Sequence, residues 1–182
     1  HEEALSVREA ELSMMRRLGA PEAHILATQS NLANTYARLG EKKEQALRMR
    51  RDVYTGYSKL KGEEQEETLI AASNYANSLT ALRRFEEAKL LLRRTMPVAL
   101  RVLGGNHEYT LMLRKTYGRA LSKDPGATLD DVREAVTTLE DAERIARRVL
   151  GGAHPLTVEF EGSVRNVRAA LRARKTPPAS QA

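Results

Sequence analysis

The chain has 182 residues, with 30 Lys and Arg against 24 Asp and Glu, a formal net charge of +6 and no cysteine. That length carries one ordinary domain or a short array of repeats, with ample residues for a core. The lack of cysteine excludes a disulfide framework, a thiolate nucleophile and cysteine-ligated zinc or iron–sulfur centres. No apolar run approaches the roughly 18 residues of a membrane span, and the start lacks a signal-peptide core. The first residue is not Met and already lies inside a helical pattern, which points to a fragment of something longer.

Taken in chain order, apolar residues recur at helical spacing between glycine and proline breaks. The first run, about 1–18, carries Leu5, Leu12, Met15 and Leu18 and stops at Gly19-Ala20-Pro21. A second continues from Glu22 through Leu26, Leu32, Ala33, Tyr36 and Leu39 to a break at Gly40. Further runs are expected at about 43–60, 66–82, 85–103 and 108–122. Asp124-Pro125-Gly126 breaks the sixth, and Thr128 to Asp131 reads as a capping box opening a seventh, which ends at Gly151-Gly152. An eighth spans about 155–175. Strand-like alternation is absent, so the expectation is all-α: eight helices whose short links make neighbours antiparallel. Pro97 falls inside the fifth run, where it removes an amide donor and predicts a kink near 95–97.

The runs repeat. The segment Gly104 to Leu111, Gly-Gly-Asn-His-Glu-Tyr-Thr-Leu, recurs 47 residues later as Gly151 to Val158, Gly-Gly-Ala-His-Pro-Leu-Thr-Val, and both copies follow Arg-Val-Leu. Asn31-Leu32-Ala33-Asn34 recurs as Asn74-Tyr75-Ala76-Asn77, and loosely as Thr116-Tyr117-Gly118-Arg119. Ala46, Ala88 and Ala135 each precede a glycine by 16 residues. The unit is therefore about 42 residues, one helical hairpin, with five extra residues in the 123–129 link. Small residues (Ala33, Ala76, Gly118; Ala46, Ala88, Ala135) sit where paired helices must approach. One hairpin cannot bury both its faces, so hairpins stack. Arg165 and Arg168 break this pattern in the last helix, as suits either a terminal cap or a cut edge exposed by truncation, and residues 176–182 read as a flexible tail. The expected layout is one helical-repeat domain over 1–175, with a partial repeat at about 1–18, repeats at about 22–61, 64–103 and 106–150, and a terminal helix at about 154–175.

Asn-Leu-Ala or Asn-Tyr-Ala in the first helix of a pair, Glu-Ala or Gln-Ala opening the second, and Val-Leu-Gly-x-x-His-x-x-Thr between repeats resemble tetratricopeptide repeats. The variety resembled is the 42-residue kind of the kinesin light chain family, and the resemblance covers about residues 1–172. It implies a right-handed superhelical solenoid whose first helices line a concave groove for extended or helical peptides. Carried over by motif, the groove positions are Asn34, Asn77, Arg119 and Asn166, with Ser30, Ser73 and Lys115 one turn before and Arg38 one turn after. Departures are Arg119 and Thr116 in the third repeat, and Glu22 and Gln65 at the place of the linker histidine.

Chemistry points the same way. An Asn amide offers a donor and an acceptor, so it can pair with a peptide backbone. Arg38, Lys115 and Arg119 favour acidic side chains or a chain-terminal carboxylate, hence a protein or peptide partner of acidic character. The other reading of these residues is a wetted, unoccupied groove in an architectural spacer or assembly subunit. A third possibility is electrostatic docking through Arg165, Arg168, Arg172, Arg174 and Lys175 in the last helix. An aromatic fraction of 4% without tryptophan argues against a nucleic-acid stacking platform. Repeated His107 and His154 fit turn and cap roles instead of a metal site, since equivalent positions stand about 10 Å apart. The carboxylate pairs sit near helix starts, where the dipole favours them, and no phosphate loop or nucleophile context occurs. No enzyme, cofactor or metal is expected, and the setting is read as cytoplasmic or otherwise intracellular.

Overall fold

The structure is a computed structural model that describes residues 2–39 and 42–175, with side chains over 5–39 and 42–174. The expected tail, the break at Gly40 and the Lys175 side chain lie outside the described residues. Eight helices make up the regular structure among the described residues: α1 (Glu2–Arg17), α2 (Glu22–Leu39), α3 (Lys43–Lys61), α4 (Glu66–Ala81), α5 (Phe85–Val102), α6 (Glu108–Lys123), α7 (Leu129–Leu150) and α8 (Pro155–Lys175). They pack as two compact units, His1–Leu82 and Arg83–Ala182.

In the first unit each helix packs on its neighbour in the chain, α1 on α2, α2 on α3 and α3 on α4. Leu5, Leu12, Leu32, Tyr36 and Ala46 form one buried cluster, with Ile25, Ala37 and Met49 against it. Ala33, Ala46 and Ala76 are almost without solvent contact, so the small-residue positions do mark close helix approach. Gly56 does the same, because an added Cβ would stand 2.6 Å from a Leu26 methyl. The links turn through Gly19 and Gly62, both at positive φ where a side chain is strained. Polar ties finish the α1–α2 seam. Arg16 donates to Gln29 Oε1 at 2.8 Å, and the Tyr36 hydroxyl donates to Glu9. Burial, and then that carboxylate, push the Tyr36 phenol up to about 12.

The second unit stacks α5 on α6, α6 on α7 and α7 on α8, and α6 also meets α8. Leu92, Leu111, Leu113, Leu121, Val132, Leu139, Phe160 and Val167 are fully or almost fully buried. The capping box is present at the start of α7: Thr128 Oγ1 accepts from Asp131 N at 3.1 Å, and Asp131 accepts from Thr128 N at 2.8 Å. His107 and His154 hold equivalent places before α6 and α8, where Nδ1 accepts from Tyr109 N at 3.4 Å and from Leu156 N at 3.2 Å. That satisfies one orphan amide at each helix start. α5 runs as one helix through Pro97, whose side chain is exposed, and Thr95 turns its hydroxyl back to the Leu91 carbonyl.

The 123–129 link is tied down. Lys89, only 5% exposed, meets Glu86 at 2.5 Å and Asp124 at 2.9 Å. Burial alone would lower the lysine, but the two carboxylates outweigh it and raise it above its ordinary value. Asp124 in turn accepts from Gly126 N at 2.9 Å, so the extra residues fold back on α5 and do not project as a free loop.

Candidate functional site

In the first unit, α2 and α4 flank an open hollow of about 440 Å³ that α3 floors. Asn34, Ala37 and Arg38 come from α2, Lys43 and Arg50 from α3, Asn77, Ser78 and Ala81 from the end of α4, and Leu82 from just beyond it. Helix periodicity explains the grouping. Asn34 and Arg38 are one turn apart, as are Asn77 and Ala81, so each pair projects from one stripe of its helix. Asn34 and Arg38 also border a second hollow of about 510 Å³ on the α1 side, with Arg8, Glu11, Thr28 and Asn31. A smaller third hollow of about 200 Å³ holds Ser30 beside Tyr57, Glu67 and Ile70.

Arg50 is the unexpected member. It is 9% exposed and rises from the middle of α3 between the flanking helices. Its Nη1 donates to the Asn74 carbonyl at 3.2 Å and to Ser78 Oγ at 2.6 Å, and its Nη2 donates to Asn34 Oδ1 at 2.8 Å. Its Nε is buried without a partner. No carboxylate reaches it among the described residues, and burial pulls the guanidinium below the usual arginine range. In the sequence Arg50 is one arginine of a basic run, and nothing local singles it out. The repeat register holds the signal, because Arg50 lies four residues after Ala46, where Ala88 and Ala135 are followed by Leu92 and Leu139.

The expected groove residues have different fates. Asn34, Arg38 and Asn77 meet at one hollow, Asn34 half-buried and the other two exposed. Asn34 cannot be the free donor and acceptor expected of it, because its oxygen is already taken by Arg50. Ser73 is 3% exposed and packs inside the unit, which corrects its expected place on an open surface. In the second unit Lys115 is ion-paired with Glu159 across α6 and α8, Arg119 is half-buried and Asn166 is exposed.

The basic cluster on α8 is partly spoken for as well. Arg165, Arg168, Arg172 and Arg174 are exposed, as a terminal face requires. Arg168 meets Glu140 at 2.7 Å, however, and Arg174 donates to the Ala127 carbonyl at 2.7 Å. Among the described residues no group of three or more His, Asp or Glu side chains is placed to hold a metal, and no helix is long and apolar enough to cross a membrane.

Residues 68–109 match the family model for the tetratricopeptide repeat. Among solved structures, the chain is similar to a candidate kinesin light chain of Podosopora anserina made of nearly identical TPR-like repeats. A single-residue variant of that protein matches with a TM-score of 0.77 at 22% identity, over 96% of this chain and 80% of the other. A second structure of the same protein gives 0.75 at 22% identity over the same shares. BtubC (BKLC) from P. vanneervenii gives 0.63 at 15% identity, over 100% of this chain and 78% of that one. A comparison with curated protein sequences gives no match. The fold is therefore that of a tetratricopeptide-like helical-repeat solenoid with kinesin light chain-like neighbours. Tetratricopeptide repeats generally mediate protein–protein interactions.

Proposed function

We propose that the protein is a non-catalytic interaction module, in an intracellular setting, whose first unit holds a segment of a partner protein along the face shared by α2 and α4. The observation that carries this reading is the meeting of Asn34, Arg38 and Asn77 around one open hollow. Side chains that merely wet a surface have no need to converge. A recess of this size takes one or two side chains, and the neighbouring recess at Ser30, floored by Tyr57 and walled by Ile70, adds an apolar foothold along the same helices. Docking through α8 is the weaker reading, since Arg168 and Arg174 are already engaged within the unit.

Selection from a random peptide display library, followed by affinity measurement on the purified chain, tests the proposal. The Asn34→Ala/Asn77→Ala double variant should keep its helical circular dichroism and bind the selected peptide at least about tenfold more weakly, a loss of about 1.4 kcal/mol. Equal binding by the folded variant would move the site elsewhere.

A further inference from the structure

We propose that Arg50 is a positioning residue of the first unit: it holds the Asn34 amide in one orientation, nitrogen outward, so that this face takes its guest segment by a main-chain carbonyl oxygen. This role rests on the interaction-module reading above. It names the residue that orients one contact and the guest atom which that contact takes.

An asparagine side chain is indifferent until something fixes its plane, because its oxygen accepts and its nitrogen donates. Here a guanidinium fixes it. Arginine nitrogens only donate, and Arg50 Nη2 lies 2.8 Å from Asn34, so the amide atom that faces it is the oxygen. Turning the amide over would set N–H against N–H beside a buried charge, which the low local dielectric makes costly. The Asn34 nitrogen has no partner among the described residues, and Asn34 borders the hollows on both sides of α2. The open end of the amide is therefore a pair of N–H groups. Its complement on a peptide is a carbonyl.

The positioning group is itself held. Arg50 Nη1 donates to the Asn74 carbonyl at 3.2 Å and to Ser78 Oγ at 2.6 Å, so one planar side chain rising from α3 is bonded to both α2 and α4. It is 9% exposed, which leaves it little freedom to turn. Asn34 is thus oriented before a guest arrives, and little side-chain ordering remains for binding to impose.

Packing does not require an arginine at this place. In the repeat register the later helices carry Leu92 and Leu139 there, both essentially without exposure. The groove position and this place go together as Asn34 with Arg50, Asn77 with Leu92 and Arg119 with Leu139. An asparagine matched with a donor-bearing side chain therefore occurs in the first of these pairs alone. Keeping the charge costs desolvation, and its bonded acceptors are a carbonyl, a hydroxyl and an amide, all neutral. An oriented donor on the binding face is what that cost provides.

Single-atom exchange in a display-selected peptide tests the proposal on the full chain. A thioamide keeps the N–H of a peptide bond and weakens its acceptor, and the peptide is scanned one bond at a time by affinity measurement. At one bond the thioamide should weaken wild-type binding at least about fivefold, and Asn34→Ala should cut that penalty to less than about twofold. Arg50→Leu copies the later repeats. It should keep its helical circular dichroism and also bring the penalty below about twofold, because the amide is then free to turn. Arg50→Lys keeps the charge but has no planar fork to span both helices, and should reduce the penalty as well. Asn34→Asp is nearly isosteric, still accepts from Arg50 and lacks the N–H groups. It should melt no lower than the wild type and lose the penalty.

A groove-dependent peptide with no carbonyl penalty traceable to Asn34 overturns this inference and leaves the interaction reading standing. A penalty undiminished in both Arg50→Leu and Arg50→Lys does the same. A selection that yields no groove-dependent peptide overturns the interaction reading, and this inference with it.

Discussion

In the first unit Arg50 stands between Asn34 and Ser78, while in the second the same places of the repeat hold Arg119, Leu139 and Val167. The helices that carry these positions are the same kind of element, with the same small residue four places earlier, Ala46 in one and Ala135 in the other. What differs is how the interior is completed. Leu139 is 1% exposed and presses so closely on Gly118 that an added Cβ would lie 2.5 Å from its Cγ. Arg50 instead reaches neutral acceptors on two neighbouring helices beneath an open hollow. The comparison sets a place of the repeat filled by apolar packing beside the same place filled by a hydrogen-bonded charge.

The sharpest way to break it is to exchange the two. Leu139→Arg would bury a charge with Val167, not Ser78, at its side, and should cost about 3–5 kcal/mol in urea unfolding. The reciprocal Arg50→Leu should change stability by no more than about 1 kcal/mol, because removing a buried charge without a counter-ion offsets the hydrogen bonds lost to Asn34, Asn74 and Ser78. Similar large losses in both variants would mean that Arg50 is a structural keystone, not an adaptation.

A smaller effect is expected at Gly118. Gly118→Ala gains roughly 0.5–1 kcal/mol of helix preference but loses about 1–3 kcal/mol to overpacking against Leu139. The net should be destabilising, and Leu139→Ala should relieve the clash, so the double variant falls short of the sum of the singles. The first unit already carries Ala33 at the equivalent place of the repeat.

The smallest effect concerns acid. Thr128, through its hydroxyl and then its backbone N–H, holds the Asp131 carboxyl below its ordinary value. A depressed folded value means that the contribution is present above the ordinary carboxylate range and is lost as pH falls through it towards the folded value. Unfolding midpoints measured from pH 6 down to pH 3 should therefore fall less steeply in Asp131→Asn than in the wild type. Identical slopes would remove the capping box from the account of the second unit's acid response.

Most of the fold was legible in the sequence, because a helical period punctuated by glycine is a strong signal. The run expected at 43–60 is α3 at Lys43–Lys61, and the box at Thr128 is present as read. The site was legible only in part. Ser73 lies in a stretch of α4 where Ala71, Ala72, Ala76 and Ser78 are all buried, and such small residues do not reveal which face turns inward. The Lys115 partner, Glu159, is 44 residues away, beyond any local pattern. Arg50 escapes a local reading because arginine is ordinarily a surface residue. Only the register across to Leu92 and Leu139 marks it as a charge in an apolar place.

The most direct test of the central claim is backbone amide shift mapping of the 15N-labelled chain with a display-selected peptide. The account predicts perturbations concentrated at residues 31–38, 50 and 74–81, with α6 and α8 unmoved. Perturbations confined to the arginines of α8 or to residues 115–123 would contradict it and place binding in the second unit.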